Sequence, residues 1–306
     1  MPRSGSPPRN GEGVVIPTLA ELVALSQRVA AWPPSRRARG GTAAVTHSPL
    51  RGRGMEYAES RAYLPGDDAR HIDWRLSART GKAHSKLFHP ERERTPLLVC
   101  DGSQALRFGT RVRLKSVQAA RAAALAAWAA TRSGERIGAV LPTGVVKPGN
   151  GQRGVLRVLR AVVAAYAAPV DETAPDLGTL LARSARLAHA GSRVIVVADP
   201  GSIAALDSAT LPGLARHNDV VVAMLTDPFE LAPPRRSLPL HWGGGRELVD
   251  FSDVAVREAW QARFVQGLQH ERERLLRQGI ATVVLPTADE GDELLQTLLQ
   301  GVRSAA

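Results

Sequence analysis

Two aspartates and one serine in this chain have the side chains and positions that metal chemistry needs. Asp101 directly follows the apolar run LLVC, and Asp199 directly follows the apolar run RVIVVA. Ser103 lies two residues beyond Asp101 and adds a hydroxyl oxygen. Mg²⁺ prefers oxygen ligands in proteins and keeps some of its waters. If both runs are strands of one parallel sheet, their carboxyl ends meet at one edge, and we expect one shared site there.

The elements that would position these residues begin at residue 97. Buried strands are predicted by short apolar runs at 97–100, 136–141, 193–198, 220–225 and 282–285, with 144–147 as the hairpin partner of the second. Helices are predicted over 112–131, 155–167, 177–189, 203–217, 253–278 and 292–303. Continuous apolar strands that alternate with helices are typical of an α/β protein with a mainly parallel, Rossmann-like sheet and helices on both faces.

The first third of the chain has a different composition. Residues 1–16 are rich in Pro, Gly, Ser and Arg, and predict a disordered tail. A helical stripe follows from Pro17 and ends before Pro33. We therefore predict a tail over 1–16, a helix with an irregular charged segment over 17–95, and a sheet domain over 96–306.

The charged segment, residues 51–94, combines turn formers, aromatic residues and opposite charges in the motifs PGDD, HIDW and SART. Pro65 and Gly66 predict a tight turn, and arginines can bind the neighbouring carboxylates bidentately. Two interpretations are open. The arginines and aspartates form an ion-pair network that pins an irregular segment, or Trp74 and the arginines form a recognition surface.

The sequence contains no pattern that indicates catalysis. It has no phosphate-binding G-x-x-x-x-G-K-[ST] loop, and Ser103 is not in a G-x-S-x-G turn. Arginines in the charged segment would lower the pKa of its carboxyl groups, whereas a general base needs a raised one. The single cysteine, Cys100, excludes an internal disulfide and predicts a buried thiol. We expect a protein that is not an enzyme.

The formal net charge of +11 is concentrated near the start of the chain. Residues 1–96 hold 16 Lys and Arg against 9 Asp and Glu, a net charge of +7. This excess favours acidic partners, although GC-rich coding can also enrich Arg and Ala. Interleaved acidic residues argue against nucleic acid, and we expect none as a partner. Without an apolar run of about 18 residues or a secretory leader, we expect no membrane span and a cytoplasmic location.

The stretch RAYLPGDDARHIDWRLSARTGKAHSKLFHPERE resembles the signature of domain-of-unknown-function family 58. Its usual form is R-x-Y-x-P-G-D-D-x-R-x-I-D-W-x-x-x-A-R-x-G-x-x-x-x-K-x-x-x-x-E-R. The matching residues are Arg61, Tyr63, Pro65, Gly66, Asp67, Asp68, Arg70, Ile72, Asp73, Trp74, Ala78, Arg79, Gly81, Lys86, Glu91 and Arg92. The resemblance covers about residues 20–303 and implies a von Willebrand factor A-like domain after a charged N-terminal region.

The loop Asp101-Gly-Ser103-Gln-Ala105 is similar to the D-x-S-x-S metal loop of such domains. The resemblance implies that Asp199 and a threonine complete the ligand set, with Thr179 favoured over Thr173. Ala105 stands where the second hydroxyl belongs. We therefore expect a degenerate site that holds no cofactor or only weakly bound Mg²⁺. In the alternative interpretation, Asp101 and Ser103 bond only the loop backbone.

The resemblance also implies a partner, because bacterial members of the family are associated with MoxR-type AAA+ ATPases. We expect a non-enzymatic, chaperone-like adaptor that acts with such an ATPase on an unidentified client protein. Many relatives begin with two transmembrane helices, which we do not expect here. The alternative function is nucleic-acid binding through the Arg-rich first third, which would show affinity that falls steeply with salt.

Overall fold

The computed structural model describes residues 13–32, 55–64, 67–90, 95–169, 173–242 and 245–300. The described residues form two compact units. The small unit contains residues 55–90, and the large unit contains residues 13–32 together with those from 95 onward. Most of the predicted disordered tail, 1–16, lies outside the described residues. Residues 13–16 form a turn in which the Gly13 N–H donates to the Ile16 carbonyl at 2.7 Å.

Helix α1 (Leu19–Ala31) begins where the sequence predicts it. The Thr18 hydroxyl caps it by accepting from the Glu21 N–H at 3.2 Å. Its buried side chains recur every three or four residues, at Leu22, Leu25 and Val29. The sequence analysis grouped this helix with the charged segment, but the structure places it in the large unit. The physical reason is its apolar stripe, which needs an apolar surface to pack against.

The small unit is built on two antiparallel strands, β1 (Met55–Ala62) and β2 (His84–Pro90). A single 3₁₀ turn (Ala69–His71) and helix α2 (Trp74–Thr80) lie between them along the chain. Gly81 ends α2 with φ 69°, a left-handed conformation that favours glycine. The expected irregular segment is thus partly regular. Strands with polar side chains lack the apolar alternation by which a sequence reveals them.

The strands of the large unit are, in chain order, β3 (Leu97–Cys100), β4 (Ile137–Leu141), β5 (Gly144–Gly149), β6 (Arg193–Ala198), β7 (Asp219–Thr226), β8 (Ser237–Trp242), β9 (Gly245–Asp250) and β10 (Ala281–Pro286). Six of them form one sheet in the order β10-β7-β6-β3-β4-β5. All neighbours in this sheet are parallel except β4 and β5. The predicted mainly parallel sheet and the β4–β5 hairpin are confirmed.

The helices of the large unit are, in chain order, α3 (Lys115–Arg132), α4 (Gly151–Ala167), α5 (Leu177–Leu187), α6 (Pro200–Ala204), α7 (Thr210–Ala215), α8 (Pro228–Leu231), α9 (Val254–Gln261), α10 (Gly267–Arg277) and α11 (Asp292–Gln300). They cover both faces of the sheet, as predicted. One core combines α1, α3, α4 and α11 with alternate strand residues such as Leu98. The other combines α5, α6, α7 and α10 with the intervening ones, such as Leu97.

Helix α3 lies against the sheet along almost its whole length. Its buried run from Lys115 to Ala130 is rich in alanine, whose small side chain lets the helix backbone approach the strands closely. Trp128 anchors α1 to this helix, because its indole N–H donates to the Leu22 carbonyl at 3.0 Å.

Two elements differ from the prediction. The helix predicted over 203–217 is two short helices, α6 and α7, and Pro212 lies in the first turn of the second. The Pro-rich stretch after β7, where the sequence predicts no strand, contains the antiparallel pair β8 and β9. This pair packs beside a cluster of Phe229, Phe251 and Trp260. Prolines and polar residues interrupt the apolar alternation that would predict these strands from the sequence.

The long helix predicted over 253–278 is confirmed with one change. Helices α9 and α10 are joined by a π-helical turn, Ala262–Gln266. A π-helical turn adds a residue to the helix and rotates the side chains that follow, and such turns are frequent at functional sites. This one places Phe264 close to Trp260, with ring centroids 4.4 Å apart.

Candidate functional site

The two aspartates predicted to share a site lie side by side. Strands β3 and β6 are adjacent and parallel, so Asp101 and Asp199 follow them at the same edge of the sheet. The backbone N–H of Asp199 donates to Asp101 Oδ2 at 3.2 Å. This is the point in the strand order where the connections change direction, the usual place for a ligand site in an open α/β sheet.

Asp101 is bonded within its own loop. Its Oδ1 accepts from the Ser103 N–H at 2.9 Å, and its Oδ2 accepts from the Ser103 hydroxyl at 2.9 Å. The Tyr166 hydroxyl donates to the Asp101 carbonyl at 3.0 Å. Asp101 is 2% exposed, and both of its carboxylate oxygens already have donors. This arrangement agrees with the interpretation in which the aspartate and serine stabilise the loop.

Asp199 is bonded to a lysine that the sequence analysis did not single out. Lys115 begins α3, is 1% exposed, and donates from Nζ to Asp199 Oδ2 at 2.7 Å. The same ammonium forms an ion pair with Glu230, the last acidic residue of the short helix α8. Asp199 also caps α6, since its Oδ1 accepts from the Gly201 N–H at 2.7 Å. We call Lys115, Asp199 and Glu230 the ammonium cluster.

Burial sets the electrostatics of this cluster. The loss of solvent raises the pKa of Glu230 above its usual 4.5, and the Lys115 ammonium opposes that change. The Asp227 N–H donates to the other carboxylate oxygen of Glu230 at 2.9 Å. The set depends most on Lys115, because its removal would leave two buried carboxylates without a counter-ion.

Asp227 is a third acidic residue after a strand of this sheet. It follows β7, is fully buried, and accepts from the Thr110 N–H at 3.1 Å, the Phe229 N–H at 2.9 Å and the Thr287 hydroxyl at 2.8 Å. It joins three segments at the sheet edge. Its carboxylate is satisfied by neutral donors, so its role is to hold the loops that surround the site.

The residues present do not fit the divalent metal that the resemblance implies. Both oxygens of Asp199 already accept, from the Lys115 ammonium and the Gly201 N–H, and both oxygens of Asp101 accept from Ser103. Thr179 is exposed, and its N–H donates instead to Asp176 at 2.8 Å, which lowers the pKa of Asp176. No hydrogen bond among the described residues joins Thr179 to Asp101 or Asp199. Within the same residues, no group of three or more His, Cys, Asp or Glu could hold a metal ion.

The predicted signature residues of the small unit form the expected ion pairs in part. Arg61 Nη2 lies 2.8 Å from Asp67 Oδ1, and the Leu64 N–H donates to Asp67 Oδ2 at 3.0 Å. The Tyr63 hydroxyl donates to the Asp67 carbonyl at 3.1 Å. Asp67, which follows the turn, is thus bonded to three residues that precede it. Pro65 and Gly66, which the sequence assigns to the turn itself, lie outside the described residues.

Asp68 and Arg70 form a second, exposed pair. Asp68 Oδ1 accepts from the Arg70 N–H at 3.0 Å and from its Nε at 3.3 Å. The backbone N–H, followed by the guanidinium, lowers the pKa of Asp68 below its usual 3.8. This confirms the direction expected for a carboxyl in the charged segment, and it makes Asp68 a poor general base.

Asp73 and Trp74 begin α2. Asp73 caps the helix by accepting from the Leu76 N–H at 3.1 Å, and it also accepts from the Ser60 hydroxyl at 2.9 Å. Trp74 is 71% exposed, and Arg79 on the same helix is exposed too. Lys86 lies in β2 opposite Ser60. Glu91 and Arg92, the last signature residues, lie outside the described residues.

The sheet topology and its paired strand-end aspartates define a mixed α/β protein with an acidic site at the carboxyl edge. The chain belongs to the family described as a protein of unknown function, DUF58, whose model matches residues 59–269. It is similar to uncharacterised proteins of Mycobacterium bovis and Mycobacterium tuberculosis, each 29% identical over 213 residues. The alignment covers 68% of this chain, which spans 62% of the length of these relatives.

Two solved structures are also similar in part. One is an aerotolerance-related membrane protein from Bacteroides fragilis NCTC 9343, 11% identical, with a TM-score of 0.40 over 68% of this chain and 97% of that one. The other is a membrane spanning protein from Vibrio fischeri, 13% identical, with a TM-score of 0.18 over 68% and 96%.

The cytoplasmic location expected from the sequence does not stand. The two partly similar structures belong to proteins described as membrane proteins, and at TM-scores of 0.40 and 0.18 that description stays with those proteins. The expectation depended on the absence of an apolar span, and such an absence does not determine where a protein acts. Among the described residues, no helix has both the length and the apolar character needed to cross a bilayer.

Proposed function

We propose that this protein is a non-enzymatic interaction module that acts with a MoxR-type AAA+ ATPase in the assembly or maturation of other protein complexes. The large unit would be a von Willebrand factor A-like domain. The mainly parallel sheet, its helices on both faces and the strand-end loop DGSQA support that assignment. The ATPase and the role in assembly are inferred from the family resemblance.

The exposure of Trp74 carries the proposal. A tryptophan that is 71% exposed leaves a large apolar surface in water, and tryptophan is among the residues most enriched at interaction hot spots. The Asp73 cap and the Ser60 hydroxyl fix the start of its helix, so little conformational entropy would be lost on binding. Arg70 and Arg79 are exposed in the same unit and would complement an acidic partner surface.

The state of the potential catalytic groups supports a non-enzymatic role. Burial raises the pKa of the Cys100 thiol to about 12, so this thiol is not a nucleophile near neutral pH. Each acidic residue of the ammonium cluster is paired with Lys115. Asp101 accepts two bonds from Ser103 and is held in place. No group among these is free to act as a base.

A binding measurement with the full chain and a MoxR-type ATPase from the same genome tests the proposal. Trp74→Ala should weaken binding about 30-fold or more, as expected for a hot-spot residue. Leu248→Ala is the matched control, since Leu248 is 70% exposed but lies in β9 of the large unit. Both variants should unfold at the temperature of the native protein. An absence of binding by the native chain, or an equal loss in both variants, would contradict the proposal.

A further inference from the structure

A cavity of about 630 Å³ opens at the carboxyl edge of β6 and β7. Its size is within the range of small-molecule sites, which is roughly 300–1,000 Å³. The walls are mostly apolar and include Phe108, Leu240, Trp260, Phe264 and Leu268. The buried polar residues of its lining include the ammonium cluster and Thr226. Apolar walls around a few buried polar groups are the usual composition of a ligand pocket.

The aromatic walls are held in fixed positions. The Trp260 indole N–H donates to the Glu230 carbonyl at 2.9 Å, which ties α9 to α8. Phe264 lies on the π-helical turn, with its ring centroid 4.4 Å from that of Trp260. Phe108 packs against Phe229 at 6.0 Å between centroids. Ring faces carry negative potential, so rings that line a cavity attract cations.

The buried charges of the cavity do not balance. Asp199 and Glu230 share the single ammonium of Lys115. Glu271, which also lines the cavity, is paired separately with Arg274 at 2.6 Å. With all groups ionised, the ammonium cluster keeps one uncompensated negative charge. A second cation nearby would compensate that charge.

Thr226 provides a polar group in the lining without a partner. It ends β7, is 2% exposed, and its hydroxyl has no hydrogen-bond partner among the described residues. Buried hydroxyls are usually hydrogen-bonded, so an unsatisfied one in a cavity lining indicates a missing partner. The oxygen itself is covered, so a ligand in the cavity does not reach it without a local rearrangement.

The rim carries opposite charge but is open to water. Arg263, His241 and His270 line the cavity and are exposed, and the Arg263 guanidinium lies 5.3 Å from the centre of the Phe264 ring. Solvent and salt screen exposed charges far more than buried ones. The buried carboxylates therefore dominate the selection of charge inside the cavity.

We propose that this cavity binds a small organic cation, namely a protonated amine attached to an aromatic or other apolar body. The ring-lined walls take the body, and the ammonium group lies towards Asp199 and Glu230. Lys115 remains in place as the cation that holds the two carboxylates together, so no metal takes part in binding. All residues that line this cavity belong to the large unit, whereas Trp74 belongs to the small unit.

Three probes with one body and three charges test the proposal on the full chain. These are phenethylamine, 2-phenylethanol and 3-phenylpropionate, titrated at neutral pH by ligand-detected NMR. The amine should bind about tenfold tighter than the alcohol, and the alcohol tighter than the carboxylate. Equal affinities, a preference for the carboxylate, or an absence of binding by all three would overturn the proposal.

Two adjacent alanines locate the binding. Ala204 lines the cavity and is exposed, so Ala204→Phe fills the cavity without disturbing the core. Ala205 is exposed and is not part of the lining, which makes Ala205→Phe the matched control. Phenethylamine binding should be lost in the first variant and kept in the second. Binding that survives Ala204→Phe would place the amine elsewhere and overturn the assignment.

The third variant tests the charge directly. Glu230→Gln keeps a polar side chain of the same size but removes one negative charge. The advantage of phenethylamine over 2-phenylethanol should then disappear, while the alcohol binds as before and reports that the cavity is intact. An unchanged preference for the amine would show that Glu230 does not select the ligand.

Discussion

The small unit and the ammonium cluster use similar charged groups in opposite environments. In the small unit, the side chains of Asp68 and Arg70 are 45% and 89% exposed. In the cluster, those of Lys115, Asp199 and Glu230 are 1%, 12% and 10% exposed. Exposed ion pairs contribute little to stability, whereas a buried set depends on the cation that its carboxylates share. This difference in burial is consistent with the roles we propose, surface recognition for the first region and ligand binding for the second.

The largest effect is expected from Lys115→Met, which keeps the length of the side chain but removes the charge. Two buried carboxylates then lose their common cation, and the loss of unfolding free energy should be about 3–5 kcal/mol. Lys147→Met is the control, because Lys147 is exposed in β5 and should change stability by no more than about 0.5 kcal/mol. Chemical denaturation measures both. Equal effects would show that burial does not distinguish the two lysines.

The same variant, Lys115→Met, tests whether the native strand-end site excludes Mg²⁺. In the native protein Mg²⁺ should not change the unfolding temperature, because both oxygens of Asp199 already accept, from the Lys115 ammonium and the Gly201 N–H. In Lys115→Met the unpaired carboxylates can attract the ion, and added Mg²⁺ should recover part of the lost stability. Stabilisation of the native protein by Mg²⁺ would mean that the buried region holds a metal after all.

The next effect is a pH dependence of the folding stability, and it comes from Cys100 at the end of β3. The Cys100 thiol has a pKa raised from 9.0 to about 12 by burial. Between these values the unfolded chain loses the thiol proton and the folded chain keeps it, so stability falls as pH rises. The folding equilibrium constant should drop about tenfold per pH unit from this group. Cys100→Ala lacks the effect, so the difference between the two proteins should shrink above pH 9 and not below it.

A smaller effect is expected from Asp73→Ala in the small unit. Loss of the helix cap should cost about 1 kcal/mol. Because the change is local, it should appear as faster amide hydrogen exchange in residues 74–80, with the large unit unaffected. Asp73→Asn should restore protection, since asparagine also caps helices. Equal exchange in all three proteins would show that the cap does not order this segment.

The smallest effect is expected from Arg70→Ala. The pair with Asp68 is exposed, so unfolding should not change measurably. The pKa of Asp68 should rise only part of the way to its usual 3.8, because its largest cause is the backbone N–H of residue 70, which alanine retains. Carboxyl titration by NMR measures this. A complete return of the pKa would assign the whole effect to the guanidinium.

The sheet and the meeting of Asp101 with Asp199 were predictable because apolar strand runs and their following residues are local patterns. Lys115 and Glu230 were not predicted, since they meet Asp199 from positions 84 residues before it and 31 after it. One signal for Lys115 was present in the sequence. It begins an Ala-rich helix, where a cation opposes the helix dipole, and such a mismatch indicates a specific partner.

Other features depended on long-range packing. The cavity wall combines Phe108 with Trp260 and Phe264, which lie far away along the chain, and no local pattern connects Phe108 to that pair. The π-helical turn interrupts a pattern that is otherwise that of one helix. In the small unit, the prediction of an ion-pair network was informative because its partners are close in sequence, such as Arg61 with Asp67.

The most direct test of the account is the affinity of the full chain for the MoxR-type ATPase, measured without nucleotide in EDTA and again in Mg²⁺. If recognition depends on the Trp74 surface and the strand-end site needs no metal, the two affinities should be equal, and Trp74→Ala should weaken both alike. Binding that requires Mg²⁺ and is unchanged by Trp74→Ala would contradict the account and place recognition at the metal loop.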